Sequence, residues 1–409
     1  MDEEDMSNEL AKKNKKYIIF GADLFLYHGG VGDYTDNLAL QLQLKGKLEY
    51  VITPHGKNGS PHYTVRKFKI PLSRKESKLD RLRPASKLRT FFYYLSLYRN
   101  SSLEWKKLKI DPADTIILFT DYYLESMDII IHLARKMKIA YGIVFHGLDL
   151  ILAGNKKFRH FKGNFSGADF LIFNSNATQA LCRKLFRELP SPGSMIIHPG
   201  IDIERIVKAG LPESKKDLFR KDPGTMVFST VSRLAHRKGI DIAIRIVHAL
   251  AKRDYKVRYF IGGVGDEKDK LQALVRQLNA GDYITFMGSM EPNEKYSLLR
   301  ESDFFLLPNH SAGNSDFEGF GISFIEASFF GNIIIGGNHG GSKEAVSDRQ
   351  TGFLFDFDDP SSMDKAIAVI IECMENDRLM ETIKTNGVHF VKENFDWSML
   401  IGRFLEWEN

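Results

Sequence analysis

Short, unbroken apolar runs alternate with amphipathic stretches along nearly the whole chain, and that alternation constrains the fold most. KKYIIF, YVITP, TIILFT, YGIVFHG, FLIFNS, MIIHPG, MVFSTVS, VRYFIGG, ITFMG, FFLLPN and NIIIGG read as strands. DIAIRIVHALAKR and KDKLQALVRQLNA, with apolar residues three and four apart, read as helices between them. A strand that is apolar throughout needs cover on both faces. The pattern therefore predicts an α/β chain of doubly wound parallel sheets, with helices on either side. So many strands exceed one sheet, and 409 residues exceed one ordinary domain of roughly 100–200. PGIDIERIVKAGLPESKKD, 199–217, is punctuated by Pro and Gly and then charged, and the boundary is placed there. Residues 1–203 form one expected Rossmann-like domain and 204–395 a second, facing it across a cleft. The amphipathic DWSMLIGRFLEWEN, 396–409, is expected to pack back on the first.

Composition removes several classes. A hydrophobic fraction of 43% is far too high for disorder. Net charge of +5 is too mild to imply nucleic acid, and no such partner is expected. Cys182 and Cys373 lie far apart, which excludes a disulfide scaffold and suits a reducing compartment. The acidic start MDEEDM has the wrong sign for a secretory leader, and no run approaches the ~20 apolar residues of a membrane span. The expectation is a soluble, cytoplasmic protein. Positive charge is nevertheless local: 61–110 holds 14 Lys and Arg against three acidic residues.

The stretch FEGFGISFIEASFFGN, 317–332, carries the most chemistry. FLLPN before it reads as a strand, so Glu318 falls in a Gly-rich loop at a strand's carboxyl end, where open α/β sheets bind ligands. ISFIEASFF reads as a helix, with Glu326 about one turn in. Between the two carboxylates, the amides of Gly321, Ile322 and Ser323 form a free helix N-terminus, a ready anion site. Carboxylate, anion cradle, carboxylate suits a phosphate flanked by hydroxyl-bearing groups. A single Glu at a helix start is more often a dipole partner; the whole pattern is more specific. In STVSRLAHRKGID, 229–241, Arg233 and Lys238 flank a turn ended by Gly239, and two such cations can neutralise a diphosphate without metal. Taken alone, this cluster reads equally well as a solvated basic turn.

With these residues in view, the chain resembles the retaining glycosyltransferases of the GT-B fold, family 4 (glycosyl transferases group 1). HPGIDIERI, SRLAHRKGID, FIGGVGDEKDKL, ITFMGSM, FEGFGISFIEA and GGSKEAVSDRQTGFLF carry the likeness in the second half, and GGVGDYTDNLA and FHGLDL in the first. The resemblance implies that Glu318 contacts the donor sugar and Glu326 the ribose hydroxyls. It gives the amides of Gly319, Phe320, Gly321, Ile322 and Ser323 to the sugar and diphosphate, and Arg233 and Lys238 to the leaving diphosphate. Gly30, Val31 and Gly32, in a Gly-rich loop that also holds Gly29, would approach the phosphates from the opposite domain. His146 would lie near the transferring sugar, and Met290 near the nucleobase. The implied reaction moves a sugar from a UDP-sugar or GDP-mannose to an acceptor hydroxyl, free or lipid-linked, with anomeric retention by front-face displacement. The nucleotide-sugar is a substrate, and no cofactor is expected. The pattern departs from the family at Ala235-His236-Arg237, where Pro-Glu commonly precedes the lysine, and at Ser328-Phe329-Phe330.

Two features are set aside. Asp356 and Asp358 in FDFDDP mimic a metal-binding Asp-x-Asp, but read as a polar turn with helix-capping acids; no metal is expected. GGVGDE at 262–267 is weak as a dinucleotide motif. The basic, aromatic stretch 65–109 reads in two ways, as a surface lying on an anionic membrane at the inner face or as a solvated basic helix pair with a buried aromatic side. The rival functions are a nucleotide-sugar epimerase or phosphorolytic enzyme of the same fold, and a catalytically inactive transferase-like scaffold.

Overall fold

The computed structural model describes residues 15–21, 29–53, 60–67, 87–122, 125–154, 160–189, 192–208, 219, 221–311 and 317–408. The chain divides into two compact units, residues 1–198 with 400–409, and residues 199–399.

The first unit holds seven strands: β1 (Lys16–Phe20), β2 (Leu48–Thr53), β3 (Val65–Lys67), β4 (Thr115–Phe119), β5 (Ala140–Phe145), β6 (Phe170–Phe173) and β7 (Gly193–Ile196). They form one parallel sheet in the order β3-β2-β1-β4-β5-β6-β7. The second unit holds β8 (Met226–Val231), β9 (Val257–Gly262), β10 (Ile284–Gly288), β11 (Phe304–Leu307), β12 (Ile333–Gly337) and β13 (Gly352–Phe355). Its sheet is also parallel, in the order β10-β9-β8-β11-β12-β13. Each unit is thus a Rossmann-like doubly wound sheet, as the alternation predicts. In each, chain order reverses beside the first strand, opening a crevice at the carboxyl ends of β1 and β4 and of β8 and β11.

Continuous apolar strands are buried on both faces. Ile117, Leu118 and Phe119 of β4, and all four residues of β11, have no exposed surface. Helices complete the cores with one apolar stripe each. Ala243, Ile244, Val247 and Leu250 of the helix Ile240–Ala251 are fully buried at spacings of one to four. The terminal helix Trp397–Glu408 returns to the first unit: Phe404 lies 5.4 Å from Tyr17 and 6.2 Å from Phe170, and Trp407 lies 5.7 Å from Phe170.

Two local expectations are corrected. Gly30, Val31 and Gly32 are not a loop; Gly29 is the N-cap, in extended conformation, and the helix Gly30–Leu44 begins at the next residue. Within the basic stretch, Val65–Lys67 forms the short edge strand β3 and Lys87–Leu108 a helix whose Trp105 is buried in the first core; 68–86 lies outside the described residues. Among the described residues, no helix is long and apolar enough to cross a membrane.

Candidate active site

The second unit's crevice is lined by the segment after β8. His236–Lys238 form a single 3-10 turn, closed by Gly239 at φ +62°. Glycine is required there twice over. The conformation is left-handed, and a Cβ would strike the Pro308 carbonyl. The turn is pinned again where His310 N donates to the Arg237 carbonyl at 3.0 Å. Backbone just past β11 therefore fixes the direction in which Arg237 and Lys238 project.

Both project onto one atom. Arg237 Nη1 and Lys238 Nζ each donate to Oε2 of Glu318 at 2.5 Å. All three side chains are nearly out of water, with exposures of 12%, 10% and 10%. Burial pushes the Glu318 carboxyl up, but the two cations outweigh it and hold it at about 2. Burial lowers Lys238 below its ordinary value, opposed by Glu318 and reinforced by Arg237 and Arg233. Arg233 itself is exposed. The main chain of Glu318 is held from the loop after β12: Gly341 N donates to its carbonyl at 2.9 Å, and a Cβ on Gly340 would occupy the same space.

The helix Ile322–Phe329 starts at Gly321, whose φ of +94° only glycine adopts readily. Gly319 is buried, and Phe320 turns its ring inward, edge-on to Phe395 at 5.3 Å. Ile322 and Ser323 are half-buried, and as first-turn residues their amides have no intrahelical acceptor. Glu326 is 6% exposed, and its Oε1 accepts from Lys295 Nζ at 2.6 Å. Asn309, fully buried after β11, donates to Ser342 Oγ at 3.0 Å and accepts from Gly337 N at 3.1 Å, tying the ends of β11 and β12 together.

The structure thus joins Lys238 to Glu318 and gives Glu326 a different cation. Met290 lies over Gly262 at the end of β9, where its sulfur would meet any Cβ. His146, in the first unit, follows β5. Its Nε2 lies 2.8 Å from the Thr120 carbonyl, so Nε2 carries the proton and Nδ1 is left as the acceptor. Burial lowers this imidazole to about 4, and its ring meets Tyr34 edge-on at 5.0 Å. Asp149 accepts from the amides of His146, Gly147 and Leu150, yet burial raises its carboxyl to about 6.

Arg237 and Lys295 are the site residues that the sequence did not single out. Arg237 is legible as an extra cation at a departure from the family pattern, but Lys295 is one of many helix lysines, and nothing in its neighbours signals its partner. The Asp356 and Asp358 turn also has company. His339 Nε2 lies 3.3 Å from Asp356 Oδ1 and 3.4 Å from Asp358 Oδ2, and His310 Nδ1 lies 3.7 Å from Asp358 Oδ1. The ligand atoms of His339, Asp356 and Asp358 all lie within 4.8 Å of one another, a grouping that could accept a cation.

Residues 213–388 match the family described as glycosyl transferases group 1. The GDP-mannose-dependent alpha-(1-6)-phosphatidylinositol monomannoside mannosyltransferase of Mycobacterium tuberculosis is 28% identical over 244 residues, covering 59% of this chain and 61% of that one. The human alpha-1,3/1,6-mannosyltransferase ALG2 is 27% identical over 241 residues, covering 56% and 55%. The chain therefore matches about three fifths or less of the length of these relatives. Among solved structures, Anabaena HepE in complex with UDP and glucose superposes with a TM-score of 0.69 at 18% identity, covering 96% of this chain and 98% of that one. Sucrose-phosphate synthase from Thermosynechococcus elongatus gives 0.73 at 18% identity, covering 96% and 99%. The fold is GT-B. Within the second unit, the glycosyl transferases group 1 model matches 176 of the chain's 409 residues.

Proposed function

We propose that this chain is a retaining glycosyltransferase that takes a sugar from a nucleoside diphosphate donor to an acceptor hydroxyl in glycan or glycolipid synthesis. The observation that carries the reading is the buried Glu318 carboxylate, kept ionised by Lys238 and Arg237 in the crevice whose next helix turn offers the Ile322 and Ser323 amides. Cleavage of the glycosyl–phosphate bond builds negative charge on the leaving diphosphate. Fixed amide dipoles and the cations Lys238 and Arg233 stabilise that charge without reorganising. Glu318 accepts hydrogen bonds from donor-sugar hydroxyls, and Glu326 from the ribose. In a front-face displacement, the departing phosphate takes the acceptor proton and no protein nucleophile is needed, which fits the retained anomer.

The mannosyltransferases among the relatives favour GDP-mannose, whereas the UDP complexes among the fold neighbours favour a UDP-sugar; the shared chemistry is the nucleoside diphosphate. No metal step is assigned. His146, Gly30, Val31, Gly32 and Met290 keep the donor-side roles that the family resemblance gives them. The acceptor is a sugar or lipid-linked sugar, and basic residues within 65–109 supply peripheral contact with an anionic membrane.

Thermal unfolding with UDP, GDP, ADP and their sugars tests the reading. A true ligand at one hundred times its dissociation constant adds about 2.7 kcal/mol of stability. No shift with any of them sinks the donor assignment. Product formed without acceptor, by isomerisation of the donor, turns the reading to an epimerase.

A further inference from the structure

Two cations serve one carboxylate oxygen at this site, which is one more than charge balance needs. Arg237 and Lys238 both donate to Oε2 of Glu318 at 2.5 Å. Under the function proposed above, on which this step rests, Lys238 has a second task at the donor's diphosphate. A lysine that left Glu318 for a phosphate would strand a carboxylate with only 10% of its side chain exposed. A buried charge without a partner is far costlier than an exposed one, so either the lysine stays or the carboxyl takes up a proton. A second cation removes that choice. Arg237 is built for it: the guanidinium stays charged at any working pH, and its turn is fixed at both ends by Gly239 against Pro308 and by His310 N on the Arg237 carbonyl.

We propose that Arg237 is a positioning residue that holds Glu318 ionised and aimed, and so releases Lys238 to bind the diphosphate of the donor. Arg237 itself does not touch the phosphates. Lys238 exchanges one anionic oxygen for another, and the net charge of the remaining Arg237–Glu318 pair is zero once it has moved.

A double-mutant cycle on nucleotide binding tests this with GDP and UDP as probes, by calorimetry on the full chain at pH 7. Arg237→Gln weakens whichever diphosphate the wild type binds by about tenfold, the coupling expected of residues in contact. Arg237→Lys recovers most of it. In a Glu318→Gln background the same Arg237→Gln change has almost no effect, because a neutral amide at that position no longer needs a replacement cation. Thermal unfolding of each variant shows whether it is folded, and only folded variants enter the cycle; in the double variant Lys238 is the one charge left of the three. If Arg237→Gln costs as much in the Glu318→Gln background as in the wild type, Arg237 binds phosphate directly or merely supports the turn, and the role is overturned. If the wild type binds neither GDP nor UDP, the parent reading falls and this one with it.

Discussion

Lys295 reaches Glu326 from the helix before β11, and its Nζ donates to Oε1 at 2.6 Å across 31 residues of sequence. Only 16% of the lysine side chain and 8% of the glutamate's meet solvent. Such a pair adds little net stability when formed, but its loss is expensive, because a buried charge loses its close counterion. Lys295→Met should therefore destabilise the second unit by about 3 kcal/mol or more. Adding Glu326→Gln should return much of that, since the buried carboxylate is then neutral. Urea midpoints of the two single variants and the double decide it, and a double variant no better than Lys295→Met removes the pair as the cause.

Glu318 makes the acid stability of the second unit predictable. Its carboxyl titrates at about 2 in the fold against an ordinary 4.5. A depressed acid contributes stability that is complete above the ordinary value and lost as pH falls through the folded one. The difference corresponds to about 3 kcal/mol, gone by about pH 2. Glu318→Gln should remove this slope while lowering stability at pH 7, read from chemical unfolding at pH 7, 4 and 3. An unchanged slope in the variant would mean that other carboxyls carry the acid limb.

In the first unit, His146 and Asp149 pull in opposite directions. His146 titrates at about 4 instead of 6.5, so its contribution is present above 6.5 and lost as pH falls through 4. Asp149 titrates at about 6 instead of 3.8, so its contribution is present below 3.8 and lost as pH rises through 6. Each swing is worth about 3 kcal/mol. Relative to wild type, His146→Gln, which keeps a donor for the Thr120 carbonyl, should become less costly as pH falls from 7 to 4. Asp149→Asn should become less costly as pH rises over the same range. Parallel slopes for the two variants would contradict the burial argument.

The fold was legible because parallel strands buried on both faces have a simple signature. TIILF of β4 and FFLL of β11 leave no other reading once helices lie between them. The strand Val65–Lys67 escaped because it is a sheet edge of three residues, two of them charged and exposed, with no apolar run to announce it. Gly30–Gly32 misled for a related reason. Three glycines in four residues signal a turn, but only Gly29 is spent on one, and the amphipathic pattern of LALQLQL carries the helix back over the rest. Spacing singled out Glu318, Lys238 and Glu326, but not which cation pairs with which carboxylate. Arg237 and Lys295 lie 81 and 31 residues from the carboxylates they serve, and only the strand order brings them there.

The turn at Asp356 and Asp358 supports the last prediction, that transfer survives removal of divalent cations. Asp356 Oδ1 accepts from the Asp358 amide at 3.2 Å, and Asp359 accepts from the Ser361 amide at 2.9 Å, as expected where acids shape the start of the helix Ser362–Glu375. The side chains of Asp356 and Asp358 are 56% and 44% exposed, so water already solvates most of their charge. In the function proposed above, Lys238 and Arg233 supply the positive charge at the diphosphate. Initial rates with the donor found in the thermal panel should be equal with and without a chelator. Asp356→Asn with Asp358→Asn should leave turnover within about twofold, the range of ordinary surface substitutions. A chelator-sensitive rate, restored by one added cation and insensitive to it in the double variant, would place a working metal at His339, Asp356 and Asp358 and overturn the metal-free mechanism.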